Sequence, residues 1–300
     1  MSNEALKLHP GQSIERWAIE KKLGEGAFGA VYQVRDPTGC YALKVESAHA
    51  KYQTLKMEVH VLTELSNKNN RHFVRIMDRG RFGAFNFVVM TLVGKSLHDL
   101  RKESPSQHFS LPCAIGVGIQ TLEAVQDLHE IGYLHRDLKP ANYSIGRAEN
   151  GEIRKIYVLD FGMCRKFISD DGIIRRPRSQ AGFRGTARYA SLACHLNQDL
   201  SRKDDVENWL YMQIEMTIGR VPWKHTNDIG QIGEYKKRCR HPPGINDLFP
   251  PNCPQEYRTI MTMLDETDYY GTPPYESIYQ ILRNILARTG RQEFPYDWER

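Results

Sequence analysis

His135-Arg136-Asp137-Leu138-Lys139-Pro140-Ala141-Asn142, followed after the apolar run KIYVLD by Asp160-Phe161-Gly162, decides how the rest of the chain reads. The residue types and their order suit chemistry on a phosphoryl group. Asp137 can accept a proton from a hydroxyl, Lys139 can neutralise a moving phosphoryl group, and Asn142 with Asp160 offers hard oxygen ligands for Mg2+. These roles fall within 24 positions, which makes chance occurrence a poor explanation. His135 reads as structural rather than as a base.

Upstream lies Gly24-Glu25-Gly26-Ala27-Phe28-Gly29-Ala30-Val31, where glycines let backbone amides approach phosphate oxygens. The following AVYQV alternates like a strand, so the motif opens a hairpin rather than a dinucleotide-binding helix. An ordinary Gly-rich hairpin would look similar. Tyr41-Ala42-Leu43-Lys44 is an apolar strand ending in a lysine, costly to bury unless it meets an anion. Glu58 sits on or beside the Leu55, Val59, Leu62 and Leu65 face of a helical stretch, where a carboxylate also needs a partner. Taken alone, Glu58 would be read as a solvated helix residue.

From Trp17 to about Leu92 the pattern is short and alternating, with strands expected in WAIEKKLG, AVYQVRD, CYALKVE and FNFVVMTLV. Beyond Gly94 it becomes helical, in LPCAIGVGIQTLEAVQDLHEIG, KDDVENWLYMQIEMTIG and ESIYQILRNILARTG. The expectation is an α+β chain of two lobes: an N-terminal lobe over 15–92, a small antiparallel sheet with one key helix, and a larger, mainly helical lobe over 93–292. Both belong to one domain over 1–300, with a cleft where they meet at Met90 to Gly94.

The 300 residues carry a net charge of +5, with 40% hydrophobic and 26% charged residues, a composition that suits a folded core and argues against disorder. No stretch is apolar enough to span a bilayer, and the amino terminus lacks the apolar core of a secretory leader, so no membrane partner is expected. Six scattered cysteines without a C-x-x-C pair suit reduced thiols. A cytoplasmic protein is expected, with the nucleus as an alternative. Nucleic acid is not an expected partner, since the basic excess is confined to one loop and has no stacking-aromatic motif.

With these motifs in order, the chain resembles the eukaryotic protein kinases from about Trp17 to Leu286. Gly185-Thr186-Ala187-Arg188-Tyr189-Ala190-Ser191 and Ser201-Arg202-Lys203-Asp204-Asp205-Val206-Glu207 are similar to the casein kinase I group, which lacks the usual A-P-E. Arg175 to Arg178 and Ala181 to Thr186 look closest to its tau-tubulin kinase branch. The resemblance implies the two-lobed protein kinase fold and a serine/threonine protein kinase using ATP and Mg2+. By motif, Gly24, Gly26 and Gly29 cover the phosphates, Lys44 holds them, and Glu58 orients Lys44. The adenine would lie between Leu23, Val31 and Ala42 above and Ser144 and Leu159 below, with Met90 as gatekeeper and Leu92 as hinge. Asp137, Lys139, Asn142 and Asp160 keep the roles given above. Ala193 stands where the group usually has asparagine, which leaves packing at that point open.

Between Asp160 and Ser191 seven basic residues face three acidic ones, in a loop where a protein substrate would dock. Arg184, Arg188 and Lys224 are the candidate receivers of an acidic or already phosphorylated substrate residue. Protein substrates, cytoskeletal ones among them, and a monomeric enzyme are expected. The chain runs only 14 residues past Leu286, and constitutive activity is expected over dependence on a phosphate paired with Arg136. The rival reading is a kinase-shaped scaffold without turnover; such proteins usually lose a lysine, base or metal position, and none is lost here.

Overall fold

The computed structural model describes residues 7–26, 29–68 and 71–299. Ala27 and Phe28 of the glycine motif lie outside the described residues. The N-terminal part comprises β1 (Ser13–Ile14), β2 (Trp17–Gly26), β3 (Gly29–Asp36), β4 (Gly39–Ser47), α1 (Thr54–Ser66), β5 (Ile76–Phe82) and β6 (Phe85–Thr91). The strands form one antiparallel sheet in the order β1-β2-β3-β4-β6-β5. Strand alternation gives the sheet two apolar faces. Tyr32, Val34, Leu43, Val45 and Val89 pack on one side with Trp17. Ala42, Val88 and Met90 pack on the other with Leu55, Val61 and Leu62 of α1.

The second lobe holds α2 (Leu97–Glu103), α3 (Leu111–Glu130), β7 (Tyr133–Leu134), β8 (Tyr143–Ile145), β9 (Ile156–Val158), β10 (Arg165–Lys166), α4 (Leu192–His195), α5 (Arg202–Ile218), α6 (Ile229–Arg238), α7 (Gly244–Leu248), α8 (Glu256–Glu266) and α9 (Tyr275–Arg288). Helix α5 is buried almost all round, so its polar side chains must be paired within the core. Gln213 donates to the Ala114 carbonyl and the Tyr257 hydroxyl, each at 2.9 Å, and the Trp209 indole donates to Thr121 Oγ1 at 3.0 Å. Gly118 of α3 lets Gln213 approach, since a Cβ there would lie 2.6 Å from Oε1 of Gln213. Ser201 and Asp204 form a capping box at the start of α5, and Gly219, at φ 79°, ends it.

The packed lobe reaches beyond residue 292, the boundary expected from sequence. Tyr296 is fully buried, and its hydroxyl accepts from Gln120 Nε2 at 2.9 Å. The Trp298 indole donates to the Ile153 carbonyl at 3.0 Å, while Asp297 accepts from the amide and hydroxyl of Ser110. The closing segment therefore braces the start of α3 and the loop before β9. Truncating Tyr296 to Ala leaves a ring-sized cavity and an unpaired Gln120 donor, and is expected to cost about 3 to 5 kcal/mol in urea denaturation. A loss below about 1 kcal/mol would show that the segment is not part of the core.

Candidate active site

Three strands and one helix set the upper wall of the cleft. Gly24 pairs with Val31 and Gly26 with Gly29 across the β2–β3 hairpin. The three glycines are not equivalent. A Cβ on Gly29 would lie 2.0 Å from the Val45 carbonyl, so strand packing alone requires glycine there, whereas Cβ atoms on Gly24 and Gly26 would meet nothing within 4 Å. Lys44 points from β4 toward α1, and its Nζ stands 2.5 Å from Glu58 Oε2 and 3.1 Å from Asp160 Oδ1. Burial opposes the charge on Lys44, but the two carboxylates outweigh it and raise its pKa above the ordinary lysine range. Glu58 lies on the buried face of α1 with Thr54, Leu55, Val61, Leu62 and Leu65, while Val59 is only partly buried.

The lower wall is a loop held from beneath. Arg136 and Asp160 adopt left-handed backbone angles, φ 68° and 66°, that cost energy for residues other than glycine. Asp205 on α5 offsets part of this cost: it accepts from the amides of His135 at 2.6 Å and Arg136 at 2.8 Å, and from His129 Nε2 at 2.9 Å. Burial tends to raise the Asp205 pKa, but these bonds and the nearby histidines hold it below the ordinary carboxylate range. Phe161 is buried against the rings of Phe73 and His135, at centroid distances of 5.8 and 5.6 Å. The side chain of Asp160 is thereby left facing Lys44.

At the mouth of the loop, Asp137 Oδ2 accepts from Lys139 Nζ and Oδ1 from Thr186 Oγ1, each at 2.7 Å. Asn142 Nδ2 donates to the Asp137 carbonyl at 2.9 Å, and the Leu159 amide donates to the Asn142 carbonyl at 2.8 Å, which brings the two motifs side by side. All the sequence-derived catalytic, nucleotide and metal positions line a single cleft of about 2010 Å³. Leu23, Val31 and Ala42 stand on its upper side, Ser144 and Leu159 on its lower side, and Met90 and Leu92 at its back.

The three residues expected at the substrate anion site differ in their surroundings. Arg188 is partly buried, and its guanidinium donates to Glu215 Oε1 at 3.1 Å and to the Lys224 carbonyl at 3.1 Å. Arg184 is exposed and Lys224 is partly buried. The basic loop is also less free than its charge count implied. Arg165 and Arg178 both donate to Asp199, whose pKa they pull down to about 2 against the effect of burial. Sequence reasoning missed Asp205, Thr186 and Glu215 as organisers of this region. The available signal for Asp205 and Glu215 was the presence of carboxylates in a helical stretch, 202–218, that also carries Trp209, Leu210, Met212, Ile214 and Met216.

His195 packs its ring against Phe183, at a centroid distance of 5.2 Å. Its Nδ1 stands 3.0 Å from the Ile229 carbonyl oxygen, and its Nε2 stands 3.3 Å from the Ala187 carbonyl oxygen and 3.1 Å from Nζ of the buried Lys236. Burial first, and Lys236 second, push its pKa down to about 4. The folded state thus binds this proton more weakly than the unfolded chain, and stability is lost as pH falls from about 6.5 toward 4. His195→Gln, which cannot take up the proton, is expected to flatten the urea midpoint over that window; a slope equal to wild type would refute the assignment.

The protein kinase domain family matches residues 17–286. A probable serine/threonine-protein kinase of Dictyostelium discoideum is 37% identical over 288 residues, 95% of this chain and 56% of that protein. The serine/threonine-protein kinase spe-6 of Caenorhabditis elegans is 36% identical over 96% of this chain and 76% of its own length. A putative casein kinase I of the same organism is 33% identical over 98% of this chain and 87% of its own. The chain spans little more than half of the Dictyostelium relative and most of the other two. Coverage of nearly the whole chain, together with a cleft in which a lysine, two carboxylates and a catalytic-loop aspartate converge, shows that the chain belongs to the protein kinase family, among relatives of the serine/threonine type.

Proposed function

We propose that this domain transfers the γ-phosphate of ATP to serine or threonine hydroxyls of proteins and that it falls in the casein kinase I group, nearest the tau-tubulin kinase branch. The observation that carries the reading is the Lys44 ammonium held between Glu58 and Asp160 in the same cleft that Asp137 lines. The GTARYAS and SRKDDVE strings and the casein kinase I relative support the group. Gly24 and Gly26 leave open space above the cleft, which suits the close approach of a polyphosphate. Asp160 faces the cleft and Asn142, with its amide nitrogen tied to Asp137, keeps Oδ1 as acceptor; this donor pair fits Mg2+ bound jointly by protein and nucleotide. Bound Mg2+ would screen the charge of the phosphates.

Asp137 is oriented by Lys139 and Thr186 so that its carboxylate can accept the proton of an incoming hydroxyl, while Lys139 stands ready beside the transferred group. Arg184, exposed on the docking side, Arg188 and Lys224 are the cations that would read an acidic or phosphorylated substrate residue. Arg188 is held there through Glu215.

Labelled ATP with Mg2+ and two matched serine peptides, one with an upstream phosphoserine, tests the reading. Transfer is expected to favour the phosphorylated peptide and to fall about 100-fold or more in Asp160→Asn or Lys44→Met. Arg184→Ala is expected to reduce kcat/KM for the phosphorylated peptide alone. Equal kcat/KM for the two peptides would remove the anion preference, and no transfer despite stabilisation by ATP would identify a scaffold.

A further inference from the structure

Lys44 is not the only charged residue that β4 sends toward α1. Leu43 and Val45 enter the core with Trp17, whereas Ala42 joins the core that contains α1. Lys44 and Glu46 therefore share the α1 face. Two residues of strand advance about 6.7 Å and four residues of helix about 6.0 Å, so a helix beside β4 can meet both side chains from positions one turn apart. Glu58 meets Lys44, and Thr54 meets Glu46.

Glu46 is 2% exposed, and one oxygen does all of its bonding. Oε1 accepts from the Thr54 amide at 2.7 Å, the Thr54 hydroxyl at 2.7 Å and the Leu55 amide at 3.3 Å, while Oε2 is buried with no hydrogen-bond partner among the described residues. Helix α1 has no cap of its own: Gln53 makes no capping bond, and the first turn contains no acidic residue. Thr54 also touches the Asp160 turn, since a Cβ on Gly162 would lie 2.8 Å from Thr54 Cβ. A carboxylate is retained in a costly position where a local cap would satisfy the same amides.

We infer that Glu46 is a positioning residue: a cap supplied by the Lys44 strand, it fixes α1 at the height and rotation where Glu58 reaches Lys44. Helix and strand are clamped at two points rather than one, and the lysine-glutamate pair stays closed without an outside activator. The inference rests on the phosphotransfer reading above, because its main readout is turnover.

The test separates capping from positioning. Glu46→Ala is compared with Glu46→Ala/Gln53→Asp, in which the helix receives a local cap unconnected to β4. Thermal midpoint, peptide kcat and KM at saturating MgATP, and acetylation of Lys44 by acetic anhydride are measured for each. Glu46→Ala is expected to lower kcat about 10- to 100-fold with little change in peptide KM, and to raise Lys44 labelling as the pair opens. The double variant is expected to recover the thermal midpoint but neither kcat nor Lys44 protection. Recovery of kcat in the double variant, or a kcat within about twofold of wild type in Glu46→Ala, overturns the inference. Should Glu46→Ala fail to fold, Glu46→Gln is expected to shift kcat and labelling in the same directions by less, and unchanged values overturn it. A wild-type protein without turnover refutes the phosphotransfer reading instead, and Lys44 labelling then decides on the clamp by itself.

Discussion

The Lys44 ammonium, largely removed from water, is met by two carboxylates, and that pairing draws three separate parts of the chain together. Lys44 comes from a central strand, Glu58 from the only helix of the N-terminal lobe among the described residues, and Asp160 from the turn after β9. A single ionic contact among them would leave the helix free to rotate or slide. Packing of Leu55, Val61 and Leu62 against the sheet and the Glu46 cap remove that freedom, so the helix, the strand and the Asp160 turn behave as one unit.

The opposite wall follows a similar principle with a different anchor. Asp137, the proposed proton acceptor, lies in a loop whose backbone is strained at Arg136. The compensating bonds come from Asp205, and Asp205 is held in place because α5 is buried on nearly every side. Stability in the centre of the large lobe is thus converted into fixed geometry at the cleft. Farther out, Asp199 holds Arg165 and Arg178, while Glu215 holds Arg188 and Tyr189, so much of the basic segment serves to hold itself in place.

The parts legible in the sequence were those fixed by local pattern or by chemistry that tolerates little variation. Helices α3, α5 and α9 follow from long apolar runs closed by glycine, and the two catalytic strings follow from the spacing that phosphoryl chemistry demands. Strand β5 was missed because it is an edge strand, IMDRGRF, with mostly exposed side chains and little alternation to betray it. From its own neighbours Glu58 could not be told from a solvated glutamate, since its burial depends on a lysine fourteen residues away, and only the kinase resemblance assigned it to Lys44. The ion pair of Arg188 was not legible for a similar reason: its partner Glu215 lies on a helix whose pattern reads as purely structural. Local periodicity does not encode which charges meet across the fold.

In the proposed reaction, the placement of Lys44 by Glu58, rather than nucleotide affinity as such, sets the rate. The most direct measurement is the single-turnover rate of phosphate transfer in Glu58→Gln, alongside MgATP affinity by calorimetry. The expected rate is about 100-fold lower, with affinity changed only a few-fold. A wild-type rate, or a loss explained wholly by weaker MgATP binding, would contradict it.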